Sequence, residues 1–304
     1  MSVSFVINAF GKRHHLARVL AAVRAQKDIV NPQIIVVDPT SPDGAGDFAL
    51  ECLQDHPDAT VIRCPDHGPS HAINVGAQHA TRPFLHTLDG DDVLAPFASR
   101  YLLDQLERLN ADTIIARGLF YRTEEDLLFP ETTPDIPATI PDSALHWMIR
   151  HAPSNMSGTM FRTDFFRRIG GCDERVFVHD YSVSLRACQA GRVCSSGQVV
   201  WKGPAEDEGR IMNSRKREMF HDFNAALYFF LRDFPNLPMS TRMLAFNRAA
   251  GRARKWALRE EGKPWDLKFL ALDALAKLPA APFVTALVGH TLGAFELSKP
   301  VRRP

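Results

Sequence analysis

A chain of 304 residues, 45% hydrophobic and 23% charged, is long enough to bury a large core as one large domain or two smaller ones. Its 36 Lys and Arg against 35 Asp and Glu leave a formal net charge of +1, which removes any global pull toward nucleic acid or an anionic surface. The five cysteines are odd in number and scattered, with no Cys-x-x-Cys pair, which excludes a disulfide framework and a zinc site and suits a reducing compartment.

Residues 3–7 are a short β-rich run that begins almost at once, without the basic stretch and longer apolar core of a signal peptide, so a cytoplasmic protein is expected. After Asn8-Ala9-Phe10-Gly11, the spacing of Leu16, Val19, Leu20 and Val23 predicts a helix with one apolar face. Residues 34–37 (Ile-Ile-Val-Val) are a second strand, broken by Asp38-Pro39 and a turn-rich stretch, with a helix to follow through Phe48, Leu50 and Leu53. Residues 60–62 give a third strand, 72–80 a helix and 84–88 a fourth strand. Strand and helix in alternation imply right-handed crossovers and a mostly parallel sheet. In such sheets ligands bind beyond the carboxyl ends of the strands, where Asn8, Asp38 and Asp89 all fall.

The fourth strand ends in Asp89-Gly90-Asp91-Asp92. Clustered carboxylates repel one another unless a cation or hydrogen-bond donors compensate. Asp-x-Asp at a strand end offers hard oxygen ligands to Mg²⁺ or Mn²⁺, with the other positions left to water and substrate phosphates. The same residues also suit a surface turn in which Asp92 caps the next helix, with Pro96 in its first turn. An EF-hand loop is excluded, because Val93 stands where a third ligand is needed.

Helix is expected over 100–109 and strand over 113–116, followed by a proline-rich surface loop over 121–141, then helix again at 145–149. A polar stretch at 154–158 runs into a strand, and 178–186 reads as a helix with Asp180 in its first turn, a position that also suits simple capping. Residues 199–201 are the last strand and 204–209 an exposed acidic loop.

Beyond Arg210 the composition shifts. Residues 210–268 hold 13 basic and 6 acidic residues. Helices are expected over 220–230 and 243–258, with Arg248, Arg252, Lys255 and Arg259 recurring on one face. That face fits an anionic membrane surface or a lipid phosphate, and equally a plain solvated surface. Residues 269–297 are the most apolar region, but their charges and prolines leave no run of ~20 apolar residues to span a bilayer. Amphipathic helices are expected there, packing on the N-terminal α/β unit, on a second copy as a homo-oligomer, or on a membrane face.

Taken in order, these pieces resemble a family 2 glycosyltransferase of the GT-A fold. The resemblance runs over about residues 3–201. It is carried by the opening strand, Gln26, residues 34–38, Gly68-Pro69-Ser70-His71-Ala72-Ile73-Asn74-Val75-Gly76, Asp89-Gly90-Asp91-Asp92, Gly170-Gly171-Cys172-Asp173-Glu174 and Asp180-Tyr181-Ser182. It implies an α/β, Rossmann-like, mostly parallel sheet over residues 1–208 with a helical extension over 209–304. It also implies inverting transfer of a sugar from a nucleotide-sugar, such as a UDP-sugar, to a hydroxyl of a glycan or glycolipid acceptor; no nucleic-acid partner is expected, since the charge is balanced and the aromatics form no stacking platform. The setting implied is surface polysaccharide or glycoconjugate synthesis. Asn8, Ala9, Asp38, His71, Asn74, Asp89 and Gly90 are then expected to contact the donor. Asp89 and Asp91 are expected to hold Mn²⁺ or Mg²⁺, and Asp180 to act as the base. Pro39, His71, Ile73 and His179 depart from the pattern, and His179 reads as an exposed helix-end histidine. A non-catalytic nucleotide-sugar binding or scaffold protein of the same fold is the alternative that these departures motivate.

Overall fold

The computed structural model describes residues 2–130, 136–205, 216–262 and 266–295. Its centre is an eight-stranded sheet. The first half alternates strand and helix: β1 (Val3–Asn8), α1 (Arg13–Arg24), β2 (Gln33–Asp38), α2 (Ala45–Leu53), β3 (Ala59–Arg63), α3 (Pro69–His79) and β4 (Phe84–Asp89). Then come β5 (Val93–Leu94), α4 (Ala98–Arg108), β6 (Thr113–Tyr121), α5 (Ala144–His151), β7 (Thr159–Arg162), α6 (Thr163–Arg168), α7 (His179–Ala190) and β8 (Val193–Pro204). The sheet order is β3-β2-β1-β4-β7-β6-β8-β5.

The left half, β3-β2-β1-β4, is wholly parallel, as the alternation requires. Register places Asn8 beside Asp89, so the two polar strand ends are neighbours at one edge of the sheet. β7 runs antiparallel to both β4 and β6, and β8 runs parallel to β6, so the right half is mixed. Side chains of opposite parity on β1 and β2 enter different cores, because successive strand residues point to opposite faces. Phe5, Ile7, Ile34 and Val36 pack with Leu16, Val19 and Leu102 on one face. Val6, Ile35 and Val37 pack on the other with Ala72, Phe161, Tyr181 and the C-terminal helices.

Several elements differ from expectation. β6 and β8 are longer than the predicted 113–116 and 199–201, because Arg117-Gly118 in β6 and Ser195-Ser196-Gly197-Gln198 in β8 interrupt the apolar pattern within each strand. They pair across register shifts at Ile115/Arg117 and Arg117/Gly118, a bulge that re-aims this stretch of strand. The six-residue α6 gave no sequence signal. Asp92 does not cap α4: that helix begins at Ala98 after Phe97, and Pro96 lies outside it. The proline-rich segment leaves β6 after Tyr121 and, among its described residues, carries a 3-10 turn, Glu125–Leu127. Residues 206–209 of the expected acidic loop lie outside the described residues.

The C-terminal helices are α8 (Lys216–Asp233), α9 (Met239–Arg259), α10 (Leu267–Leu275) and α11 (Val284–Thr291). α8 packs on α7 and α9 on α5, so this region lies against the helices that flank the sheet and shares one continuous apolar core with them. The basic face of α9 is split. Arg252 turns inward, donating to Asn224 Oδ1 (3.1 Å) with its guanidinium over the Phe223 ring, and Arg254 pairs with Asp273. Arg248, Lys255 and Arg259 stay exposed. Among the described residues no helix is long and apolar enough to cross a membrane.

Candidate active site

A cleft of about 760 Å³ opens at the carboxyl ends of β1 and β4. One wall is polar, lined by Asn8, Lys12, Asp89, Gly90 and Asp91. The turn that carries the aspartates is held from below. Ser157 Oγ donates to Asp92 Oδ2 (2.6 Å) and accepts from the Asp89 amide (3.1 Å), so Asp92 is buried as a brace. His86, fully buried on β4, donates from Nε2 to the Ser157 carbonyl (3.0 Å) and faces the Ser99 hydroxyl through Nδ1 (3.2 Å). Burial pushes its pKa down to about 4 against the Ser157 carbonyl, so it serves as a neutral strut. Gly90 lies against the loop after β1. A Cβ there would meet the Asn8 carbonyl oxygen at 2.5 Å, so only glycine lets the two loops close on each other.

Each of the two cleft-facing aspartates meets a nitrogen. Lys12 Nζ lies 2.5 Å from Asp91 Oδ2, with only 15% and 11% of the two side chains exposed. His179 Nε2 lies 3.5 Å from Asp89 Oδ1, an ion-pair distance longer than a good hydrogen bond. Burial opposes charging of the His179 ring, but the Asp89 carboxylate outweighs it and raises the pKa above the ordinary imidazole value. His179 is therefore no exposed helix-end residue. It seats the start of α7 against the Asp-x-Asp turn, which a sequence separation of 90 residues hides.

Asp180, the next residue, lines the same cleft. Its Oδ1 accepts from the Tyr181 amide (2.7 Å) and its Oδ2 from Ser154 Oγ (3.2 Å), which fixes the carboxylate within the first turn of α7. Asp89, Asp91 and Asp180 thus meet around one cleft although they come from two distant segments.

Much of the remaining lining is aromatic and forms a second wall, with Trp147, Phe120, Trp201, Phe177 and Phe223 among its residues. Trp201 lies flat over Gly118, where a Cβ would fall 1.9 Å from the indole, and its Nε1 donates to Asn155 Oδ1 (2.8 Å). Phe120 packs edge-on against it. Sequence reasoning missed this wall, because it is gathered from separate elements, with only Phe120 and Trp201 brought together by the bulge between β6 and β8.

Four expected donor contacts stand behind the cleft lining. Asp38 is 4% exposed, and its two carboxylate oxygens accept from the Ser41 and Gly46 amides (2.9 and 3.0 Å), so it braces the turn after β2. Ala9 is buried, with its amide on the Val37 carbonyl. His71 pairs with Glu174 (3.0 Å), and Asn74 donates to Glu174 Oε1 and the Cys172 carbonyl. Pro39 and Asp66 line the cleft on that side instead.

The donor set suits a hard divalent cation: two carboxylates on one turn, facing a space large enough for a diphosphate. Among the described residues no group of three or more His, Cys, Asp or Glu could hold a metal without help. A cation here would take its other ligands from substrate and water, as Mg²⁺ and Mn²⁺ commonly do.

A parallel-to-mixed sheet with Asp-x-Asp at the end of its fourth strand and a carboxylate-bearing helix facing it defines the GT-A class of glycosyltransferase folds. The description "Glycosyl transferase family 2" matches residues 4–169, more than half of the chain. The chain belongs to glycosyl transferase family 2, enzymes that move sugar from nucleotide-sugars. Among solved structures it is similar to Staphylococcus aureus TarS 1-349 in complex with UDP-GlcNAc, with TM-score 0.68, 16% identity, and 97% of this chain and 89% of that one covered. It is also similar to the mannosyltransferase PcManGT from Pyrobaculum calidifontis in complex with GDP-Man and Mn²⁺, with TM-score 0.56, 16% identity, and 95% and 86% covered. At such identities the likeness shows the fold. No curated protein matches the chain significantly by sequence.

Proposed function

We propose that this protein is an inverting, divalent-metal-dependent glycosyltransferase that moves a sugar from a UDP-sugar to a hydroxyl of a glycan or glycolipid, in surface polysaccharide or glycoconjugate synthesis. The observation that carries this reading is the common cleft of Asp89, Asp91 and Asp180. Asn8, Asp89, Gly90 and Asp91 bind the donor's diphosphate end. Asp89 and Asp91 would hold a divalent cation, which would supply positive charge at the departing diphosphate. Asp180 takes the proton from the acceptor hydroxyl as its oxygen attacks the anomeric carbon from the face away from the leaving group. Ser154 and the Tyr181 amide hold that carboxylate in place. The aromatic wall receives the acceptor, because flat rings shed water readily and pack against the apolar faces of sugars.

Residues 1–208 act as the catalytic unit and 209–304 as a helical extension that completes the aromatic wall through Met219 and Phe223. Exposed Leu267, Leu278 and Phe283, with the exposed Arg248, Lys255 and Arg259 of α9, suit a peripheral seat on the inner face of an anionic membrane. The decisive experiment is transfer by Asp180→Asn across a panel of UDP- and GDP-sugars. Turnover lost with Mn²⁺-dependent nucleotide binding retained supports the reading. A wild type that fails to transfer from any donor overturns it.

A further inference from the structure

Lys12 is a cation placed where a helix disfavours one. It immediately precedes α1, whose first turn holds no acidic residue, and the positive end of a helix dipole repels an ammonium. It is nonetheless largely buried, on Asp91, with its Nζ 2.5 Å from Oδ2. Its stem is packed too: a Cβ on Gly90 would come within 3.1 Å of the Lys12 Cβ, so the Asp-x-Asp turn and the lysine are fitted to each other. The ammonium therefore lies in the cleft at one of the two carboxylates expected to take a divalent cation. Two cations cannot share Asp91 at that distance, because like charges repel strongly in a partly desolvated site. A lysine with a flexible four-carbon stem can move a few ångströms, and a nucleoside diphosphate brings new anionic oxygens to the same place.

We propose that Lys12 is a donor-binding residue that exchanges partners, holding Asp91 until a divalent cation takes the carboxylates and then moving to the donor's diphosphate. This rests on the reading of Asp89 and Asp91 as the cation holders. Lys12 thus opposes metal entry into the nucleotide-free site and favours it once the diphosphate is present. Binding of metal and nucleotide is coupled in this way, and the pair of aspartates is kept neutralised in between.

The full chain and its Lys12→Met and Lys12→Arg variants test this with two readouts. Mn²⁺ uptake without nucleotide is followed by loss of the free-ion electron paramagnetic resonance signal, and binding of UDP and GDP at fixed Mn²⁺ by calorimetry. Lys12→Met should take up Mn²⁺ more tightly, by about three- to tenfold, while its affinity for the nucleoside diphosphate falls about tenfold, the loss of one charge-assisted contact. Lys12→Arg should recover most of the nucleotide affinity. A ligand that merely props up the turn would move both affinities in the same direction. Both falling together, or neither changing, overturns the exchange, and Lys12→Arg distinguishes it from misfolding of the methionine variant. A wild type that takes up no Mn²⁺ with or without nucleotide overturns the cation reading of Asp89 and Asp91 and the exchange with it. Uptake by the wild type with no opposed shift in Lys12→Met sinks the exchange alone.

Discussion

The two walls of the cleft are built by different means. The aspartate wall sits on the ends of parallel strands, and its chemistry is local: β1 ends in Asn8, β4 in Asp89, and register sets the two side by side. The aromatic wall has no such local basis. Trp201 comes from β8, Phe120 from β6, Trp147 from α5 and Phe223 from α8, and a bulge between β6 and β8 brings the first two together. Strand ends give a donor site that is rigid and dictated by the fold, whereas a wall gathered from four elements can vary in shape while the catalytic frame stays the same. Damage to the first wall should therefore show in donor binding, and damage to the second in acceptor use.

The sharpest way to break this comparison is Asp91→Asn. It removes one of the two carboxylates of the polar wall, and kcat/KM should fall by roughly 10²–10³-fold, since charge stabilisation of a leaving group is worth several kcal/mol. Steady-state kinetics at varied donor and metal should place the loss on the donor side. An acceptor-only effect would mean the walls are assigned the wrong way round.

His86 tests how far the polar wall depends on a neutral strut. Its pKa is lowered from 6.5 to about 4 in the fold. As pH falls below 6.5 the unfolded chain takes up a proton first, so His86 contributes stability that is complete above 6.5, is lost on descent to about 4, and changes no further below that. The loss is ~3 kcal/mol over this window. Urea unfolding between pH 7 and 4 should show it, and His86→Gln should flatten that part of the profile. An unchanged slope in the variant would place the proton uptake elsewhere.

Gly118→Ala probes the second wall. With only 1.9 Å to the indole, the new methyl must push Trp201 aside, at about 1–3 kcal/mol for overpacking. Acceptor KM should rise while nucleotide affinity measured by calorimetry holds. Trp201→Phe is the mildest change. It gives up the Nε1 bond to Asn155, worth about 1 kcal/mol, and should raise acceptor KM only a few-fold with donor kinetics untouched. A donor effect from either variant would merge the two walls into one.

Much of the frame was legible in advance because its signals are short-range. Short β-rich runs of four or five residues at 3–7, 34–37 and 84–88 marked β1, β2 and β4, and Leu16, Val19, Leu20 and Val23 marked the buried face of α1. The parallel half followed from alternation alone. Asp38 shows where such reasoning stops. It stands at a strand end as Asn8 and Asp89 do, but two loop amides bind its carboxylate and bury it, and no pattern in the chain distinguishes a brace from a ligand. His179 shows the converse, a residue that looked exposed and is held against Asp89.

By itself the sequence determined the order of the elements, the parallel half of the sheet and the cluster of carboxylates at the end of β4, because hydrophobic period and turn chemistry act between near neighbours. Only the tertiary structure decided which polar groups face the cleft, that Lys12 sits on Asp91, that Asp180 joins Asp89 from 91 residues away, and that separate elements gather into the aromatic wall. Those outcomes depend on packing and electrostatics between segments that meet only after the sheet has formed, and a linear pattern carries no record of such meetings.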